Sequence, residues 1–243
     1  LNGEDALGAI FPAMANAVMM FECLGTPKND PRLVTAKRAI RNLVTNDPDR
    51  RYCQPCVSPV WDTGLAAHAL METGGNAARD AVHRGLAWLV GKQELSVSGD
   101  WAAARPELRP GGWAFQYANP HYPDVDDTAV VAMALDRFDR AAYREPIARA
   151  AEWIDGMQSR NGGWGAFDAD NEYYYLNYIP FADHGALLDP PTADVSARCV
   201  SFLGQIEPDD DEVFARGVAY LLREQEPDGS WFGLWGTNYI YGT

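Results

Sequence analysis

The sequence predicts an all-α protein in which apolar inner helices, wrapped by amphipathic outer ones, build an α/α barrel. Three observations carry this. A Gln followed by Gly-x-Trp recurs as Gln93/Gly99/Trp101, Gln158/Gly162/Trp164 and Gln225/Gly229/Trp231, with the Gln residues 65 and 67 positions apart. Self-similarity at such a period marks a chain of repeated supersecondary units. Each Gln closes an amphipathic pattern, within 85–101, 149–167 and 216–233, with an aromatic residue (Trp88, Trp153, Tyr220) five positions earlier. Between these patterns lie segments with little charge, 61–70, 126–135 and 193–203, each opening on Asp with Thr or Ser close behind. Such residues cap helix N-termini, and a helix apolar nearly all round is buried on all sides.

Taken in order, AIFPAMANAVMMF at 9–21 reads as a buried helix, with a helix lying on a membrane surface as the alternative. It is too short to cross a bilayer and contains Pro12 and Asn16. The stretch 37–59 reads as an outer helix whose Gln-Gly-Trp element is lost, which places a domain boundary near residue 60. WDTGLAAHAL at 61–70 is then the first inner helix, DDTAVVAMAL at 126–135 the second and ADVSARCVSFL at 193–203 the third. The outer helices alternate with them, and Gly-, Pro- and Trp-rich loops join the two kinds. A structural role is expected for Gln93, Trp101, Gln158, Trp164, Gln225 and Trp231: the Gln amide bonds the start of a helix and the Trp stacks over it. The chain begins with Leu1 rather than Met and stops at Tyr-Gly-Thr where a helix could begin, so it reads as a piece of a longer protein.

Composition narrows the function classes. With 47% hydrophobic and 12% aromatic residues the 243-residue chain is globular. A net charge of −14 and a pI near 4.6 leave no basic face for phosphates, so no nucleic-acid partner is expected. Cys23, Cys53, Cys56 and Cys199 read as reduced thiols, since the lone Cys-x-x-Cys at 53–56 has no second pair. His68, His83, His121 and His184 lack metal-ligand spacing, so no metal is expected.

The chemistry is concentrated in PDVDDTAVVAMAL at 123–135, where Asp124, Asp126 and Asp127 meet an apolar run. Three carboxylates this close, facing a dry interior, cannot all ionise comfortably, and repulsion and desolvation raise at least one pKa. The helix N-terminus pulls the other way by favouring the carboxylate. Helix capping is the plain alternative, but Asp127 or Thr128 alone could supply that.

The Gln–Gly-x-Trp repeats together with Asp124-Val125-Asp126-Asp127-Thr128-Ala129 resemble the bacterial squalene–hopene cyclases, class II terpene cyclases of the triterpene cyclase family. The likeness covers essentially the whole chain, including SPVWDTGLA (58–66), PGGWAFQ (110–116), NGGWGAFDADN (161–171), IPFADHG (179–185), DPPTADV (189–195) and PDGSWFGLWGTNYIYGT (227–243). It implies a fragment of a two-barrel cyclase, with 1–60 ending the second, inserted barrel and 61–243 forming part of the catalytic one. It also implies that Asp126 protonates an alkene of squalene, that Asp124 and Asp127 tune it, and that hopene results, with hopanol from water capture. Arg198 stands where some relatives have a His that assists the acid, and can pair with Asp126 by charge alone. Asp62 and Asp194 match as supporting carboxylates, and Tyr241 as a Tyr near the acid. Trp61, Phe115, Phe167 and Trp235 match aromatics whose faces stabilise cations without quenching them, Phe167 where some relatives have Tyr. No metal or organic cofactor is implied. The implied partners are squalene and, for the intact protein, the cytoplasmic side of a bacterial membrane as a monotopic protein, with room for a homodimer.

Alternatives on the same residues are a class II diterpene cyclase acting on a prenyl diphosphate, which would call for a basic patch, and an α/α-barrel glycosidase, which would call for separated carboxylates. An oxidosqualene cyclase would carry a different motif around a single acidic Asp. The isolated 243 residues are expected to be an inactive scaffold piece.

Overall fold

The computed structural model describes residues 10–45, 47, 49–179, 188–206, 212–236 and 238–243. His184 and most of the 179–185 stretch lie outside the described residues. The helices are α1 (Phe11–Cys23), α2 (Pro31–Asn42), α3 (Pro59–Thr73), α4 (Asn76–Val90), α5 (Val125–Asp139), α6 (Arg144–Met157), α7 (Ala193–Ile206), α8 (Glu212–Glu224) and a short α9 (Asn238–Gly242). Strand pairing among the described residues is confined to isolated bridges. No described helix is long and apolar enough to cross a membrane.

The chain divides into two compact units, Leu1–Asp62 with Phe115–Asn119, and Thr63–Ala114 with Pro120–Thr243. In the first, α1 and α2 pack through Met14, Ala39 and Leu43 and through Phe21, Leu33 and Ala36. Pro12 sits in the first turn of α1, where its missing N–H costs nothing, and Asp30 caps α2 by accepting from Arg32 N.

The second unit alternates inner and outer helices. α5 packs on α4, α6 and α7, and α7 packs on α8. As expected of an inner helix, α5 is buried along almost its whole length, from Val125 to Asp136 with Met133 the exception. The other inner helices depart from that expectation. α7 buries one face, through Asp194, Ser196, Cys199, Phe202 and Leu203, and α3 leaves Leu65 exposed. Among the described helices α5 packs on α4, α6 and α7 and is the most completely buried.

The repeat element is a clasp between successive hairpins, and its register differs from the sequence reading in one place. Gln158 Nε2 donates to the Gly162 carbonyl and to Val213 O in the first turn of α8. Gln93 Nε2 likewise donates to Gly111 O and to Pro146 O in the first turn of α6. The Trp that goes with Gln93 is therefore Trp113, in Gly111-Gly112-Trp113, and not Trp101. The remaining bonds repeat as well: Glu94 N to Gly112 O matches Ser159 N to Gly163 O, and Trp113 N to the Thr128 hydroxyl matches Trp164 N to the Ser196 hydroxyl. Trp101 instead lies in an insertion between Gln93 and Gly111, buried edge-on against Trp153 at 5.9 Å. Its Gly-x-Trp spacing imitates the element without making its bonds.

The two glycines before Trp113 and before Trp164 are required by the next outer helix. A Cβ at Gly112 would stand 2.8 Å from the Trp153 ring, and one at Gly163 would stand 2.7 Å from Tyr220 Cζ. Trp153 and Tyr220, each five positions before a Gln, thus lie against the preceding repeat.

Candidate active site

The repeated Trp N–H bonds mark equivalent points at the starts of α5 and α7 and at the end of α9, and three polar side chains stand next to them. Asp126, Asp194 and Tyr241 each stand two residues before a hydroxyl that accepts a Trp backbone N–H: Thr128, Ser196 and Thr243. Arg198, one turn into α7, reaches all three positions. Its Nη1 donates to both carboxylate oxygens of Asp126 at 2.9 Å, and to Asp194 O at 3.4 Å. Its Nη2 donates to the Tyr241 hydroxyl at 2.9 Å, with the guanidinium carbon 5.5 Å from the Tyr241 ring centroid. One nitrogen spans both oxygens of Asp126, so the pair is not the parallel two-nitrogen fork.

The three carboxylates of the motif have separate surroundings. Asp124 is the N-cap of α5 and accepts from Asp126 N at 2.8 Å and Asp127 N at 3.3 Å. Capping thus falls to Asp124, whereas the sequence pointed to Asp127 or Thr128. Asp126 is 8% exposed and Asp127 1% exposed. Because Asp124 takes the first-turn N–H groups, the helix terminus discharges onto it rather than onto Asp126. Burial pushes the Asp126 carboxyl up to about 6 against the opposing pull of Arg198, with the Asp194 charge adding to the rise. Burial, reinforced by the Asp126 charge, also holds Asp124 well above the usual carboxylate range.

Asp194 is buried and accepts from its neighbour Val195 N at 3.1 Å and from Trp235 N at 3.1 Å. Trp235 is half-exposed and meets Phe167 edge-on, with centroids 6.1 Å apart. Asp126, Arg198, Asp194, Trp235 and Phe167 therefore form one connected arrangement, in which the Trp235 backbone joins Asp194 and its ring meets Phe167. Trp61, Asp62 and Phe115 belong to the first compact unit, where Asp62 accepts from the Ser58 hydroxyl at 2.9 Å.

One side chain that shapes this region went unnoticed in the sequence. Asp189, buried, accepts the backbone N–H groups of Ala166, Phe167 and Asp168 at 3.0, 2.6 and 2.7 Å. Ala166 O in turn accepts from Val125 N at 2.7 Å, so this carboxylate fixes the Phe167 loop against the start of the acid helix. An Asp directly before Pro190-Pro191 was the available signal, since such a residue bonds backbone more readily than it continues a helix. Cys199 lies buried in the same region, and burial, followed by the Asp126 charge, pushes its thiol well above the usual range. Among the described residues no group of three or more His, Cys, Asp or Glu side chains is arranged to hold a metal ion.

Comparison with known proteins now decides the family. The model of the squalene-hopene cyclase C-terminal domain matches residues 57–243, and that of the N-terminal domain matches residues 1–49. The chain belongs to the squalene–hopene cyclase family. It is 60% identical over 256 residues to the squalene–hopene cyclase of Zymomonas mobilis, covering 100% of this chain and 39% of that protein. To the squalene–hopene cyclase of Bradyrhizobium diazoefficiens it is 58% identical over 249 residues, covering 100% of this chain and 38% of that one. The chain thus spans less than two fifths of the length of these relatives. Among solved structures, the type II terpene cyclase MstE from Scytonema aligns over 96% of this chain and 57% of its own, with a TM-score of 0.53 and 17% identity. That likeness concerns the fold, and it bears out the all-α, α/α-barrel expectation, as the family match bears out the resemblance.

Proposed function

We propose that these residues carry the acid step of squalene cyclisation to hopene, with Asp126 as the proton donor. The observation that supports this most directly is the Asp126–Arg198 pair, a buried carboxyl whose two oxygens face one guanidinium nitrogen at 2.9 Å. An isolated alkene is a very weak base, so the donor must keep its proton in a dry site and leave a stabilised anion when it gives that proton up. Burial supplies the first requirement and Arg198 the second.

In the proposed step the terminal double bond of squalene takes the Asp126 proton, its π electrons form the new C–H bond, and a tertiary cation remains. Successive double bonds then attack the cation and close the rings. Loss of one proton at the last centre gives hopene, and capture by water with loss of a proton gives hopanol. Phe167 and Trp235 offer faces that stabilise the positive charge without forming a bond to it. The Zymomonas mobilis and Bradyrhizobium diazoefficiens relatives carry the name of this reaction, which further supports the reading. Action of the intact protein on one leaflet of a bacterial membrane, from which squalene would enter, is part of the same proposal.

The test is a chimera in which these 243 residues replace the matching segment of the Zymomonas mobilis relative, supplied with squalene or with geranylgeranyl diphosphate. Hopene from squalene, carrying one deuterium in deuterated water, is the expected product. Cyclisation of the diphosphate alone would keep the acid and overturn the substrate.

A further inference from the structure

Away from the carboxylate cluster, two polar contacts converge on His68, midway along α3. Its Nε2 lies 3.0 Å from the Val130 carbonyl oxygen of α5, one turn after Asp126. Its Nδ1 lies 2.9 Å from Arg137 Nη1, and Arg137 Nη2 donates to Glu72 Oε1 at 2.5 Å. A carbonyl only accepts and a guanidinium only donates, so the ring state is fixed: Nε2 carries hydrogen, Nδ1 is bare, and the imidazole is neutral. The close approach that brings His68 within reach is made one turn earlier, where a Cβ at Gly64 would stand 3.2 Å from Val130 Cγ1.

We propose that His68 is a positioning residue for α5: as the neutral Nε2–H imidazole it ties α5 to α3 through Val130 and Arg137, and protonation of Nδ1 removes the Arg137 half of that tie. A proton on Nδ1 would turn the acceptor of the Arg137 bond into a donor facing a permanent cation. The charged groups that face the ring are Glu72 from its own helix and Arg137 from α5. From α4, Arg79 lies over the neighbouring Phe138 ring at 4.8 Å. Burial, and after it the Arg137 charge, lower the imidazole pKa, opposed by the Val130 carbonyl and Glu72. A lowered folded-state pKa means that the unfolded chain binds the proton better. The contribution of His68 is therefore fully present above about pH 6.5 and is lost as pH falls through the folded value. This inference rests on the geometry of α3 and α5 and does not depend on the cyclisation reading.

The test compares the protein with His68→Gln and His68→Leu. Gln sets an N–H near the place of Nε2 and an acceptor oxygen near that of Nδ1, but it does not titrate. Nitrogen-15 spectra of the wild-type imidazole at pH 7.5 are expected to show a protonated Nε2 and a bare Nδ1, titrating below 6.5. Urea unfolding from pH 8 to 5 is expected to show the wild type losing stability relative to His68→Gln on the acid side. In His68→Leu, amides of α5 should exchange at least about fivefold faster, as loss of one hydrogen bond predicts, and His68→Gln should restore part of that protection. A protonated Nδ1 at pH 7.5, an ordinary titration, or an identical acid-side loss in His68→Gln would overturn the proposal. Should His68→Leu fail to fold, the wild-type spectra and the His68→Gln comparison still decide it.

Discussion

In the proposed role Asp126 would have to meet two opposed demands, and its burial and its pairing with Arg198 bear on one each. Burial alone would make an acid too weak to release its proton, and Arg198 alone would leave it ionised; together they hold it at about 6. The sign of the pH dependence follows. In the proposed step the active form is the protonated one, so the rate should be flat below about pH 6 and fall roughly tenfold per unit above it, measurable as initial rates from pH 5 to 8. Because the folded-state pKa is raised, stability moves the same way: it is lost as pH rises from the ordinary Asp range through about 6. Removing the Arg198 charge in Arg198→Leu should move the descending limb to higher pH, since the guanidinium lowers the Asp126 pKa. The same change should cost about 10²-fold at the plateau, where the new carboxylate is left unpaired. The crowding of carboxylates was legible in the sequence because the three Asp residues are near neighbours. The division of labour among them was not. Which carboxylate caps the helix depends on backbone dihedrals at Asp124, and the Arg198 contact closes over 72 residues.

At the scale of the element, the clasp predicts unequal costs at equivalent positions. Gln158 is buried and satisfies the Gly162 and Val213 carbonyls, whereas Gln225 is exposed and bonds Gly229 O at 2.9 Å. Gln158→Leu strands two buried acceptors and should cost about 2 kcal/mol or more, against about 1 kcal/mol or less for Gln225→Leu, measured by urea denaturation. Gly111→Ala should also destabilise, because its Cβ would fall on the Arg149 carbonyl oxygen, a backbone atom that cannot step aside. Helix alternation was readable from periodicity because burial of each face dictates it. The misplacement at Trp101 has an equally physical source. The signature Gln-then-Gly-x-Trp is local, but the clasp is defined by hydrogen bonds, and an insertion can separate Gln93 from Gly111 without breaking them.

For the whole molecule, the repeat acts as a ruler: Asp126, Asp194 and Tyr241 each precede by two residues a hydroxyl that accepts a Trp N–H, and Arg198 bonds the Asp126 carboxylate, the Asp194 backbone carbonyl and the Tyr241 hydroxyl. The repeat period made this architecture visible in the sequence, and the family match at residues 57–243 agrees with it. The Asp189 clamp stayed hidden because its three acceptances are backbone contacts made across more than twenty residues. The central claim, that Asp126 gives the proton, is tested most directly by gas chromatography–mass spectrometry of squalene incubated with the Zymomonas mobilis chimera and with its Asp126→Asn variant. A loss of hopene formation of about 10²- to 10⁴-fold in a variant that still melts cooperatively is the predicted result. Hopene at the parental rate from Asp126→Asn would contradict the account.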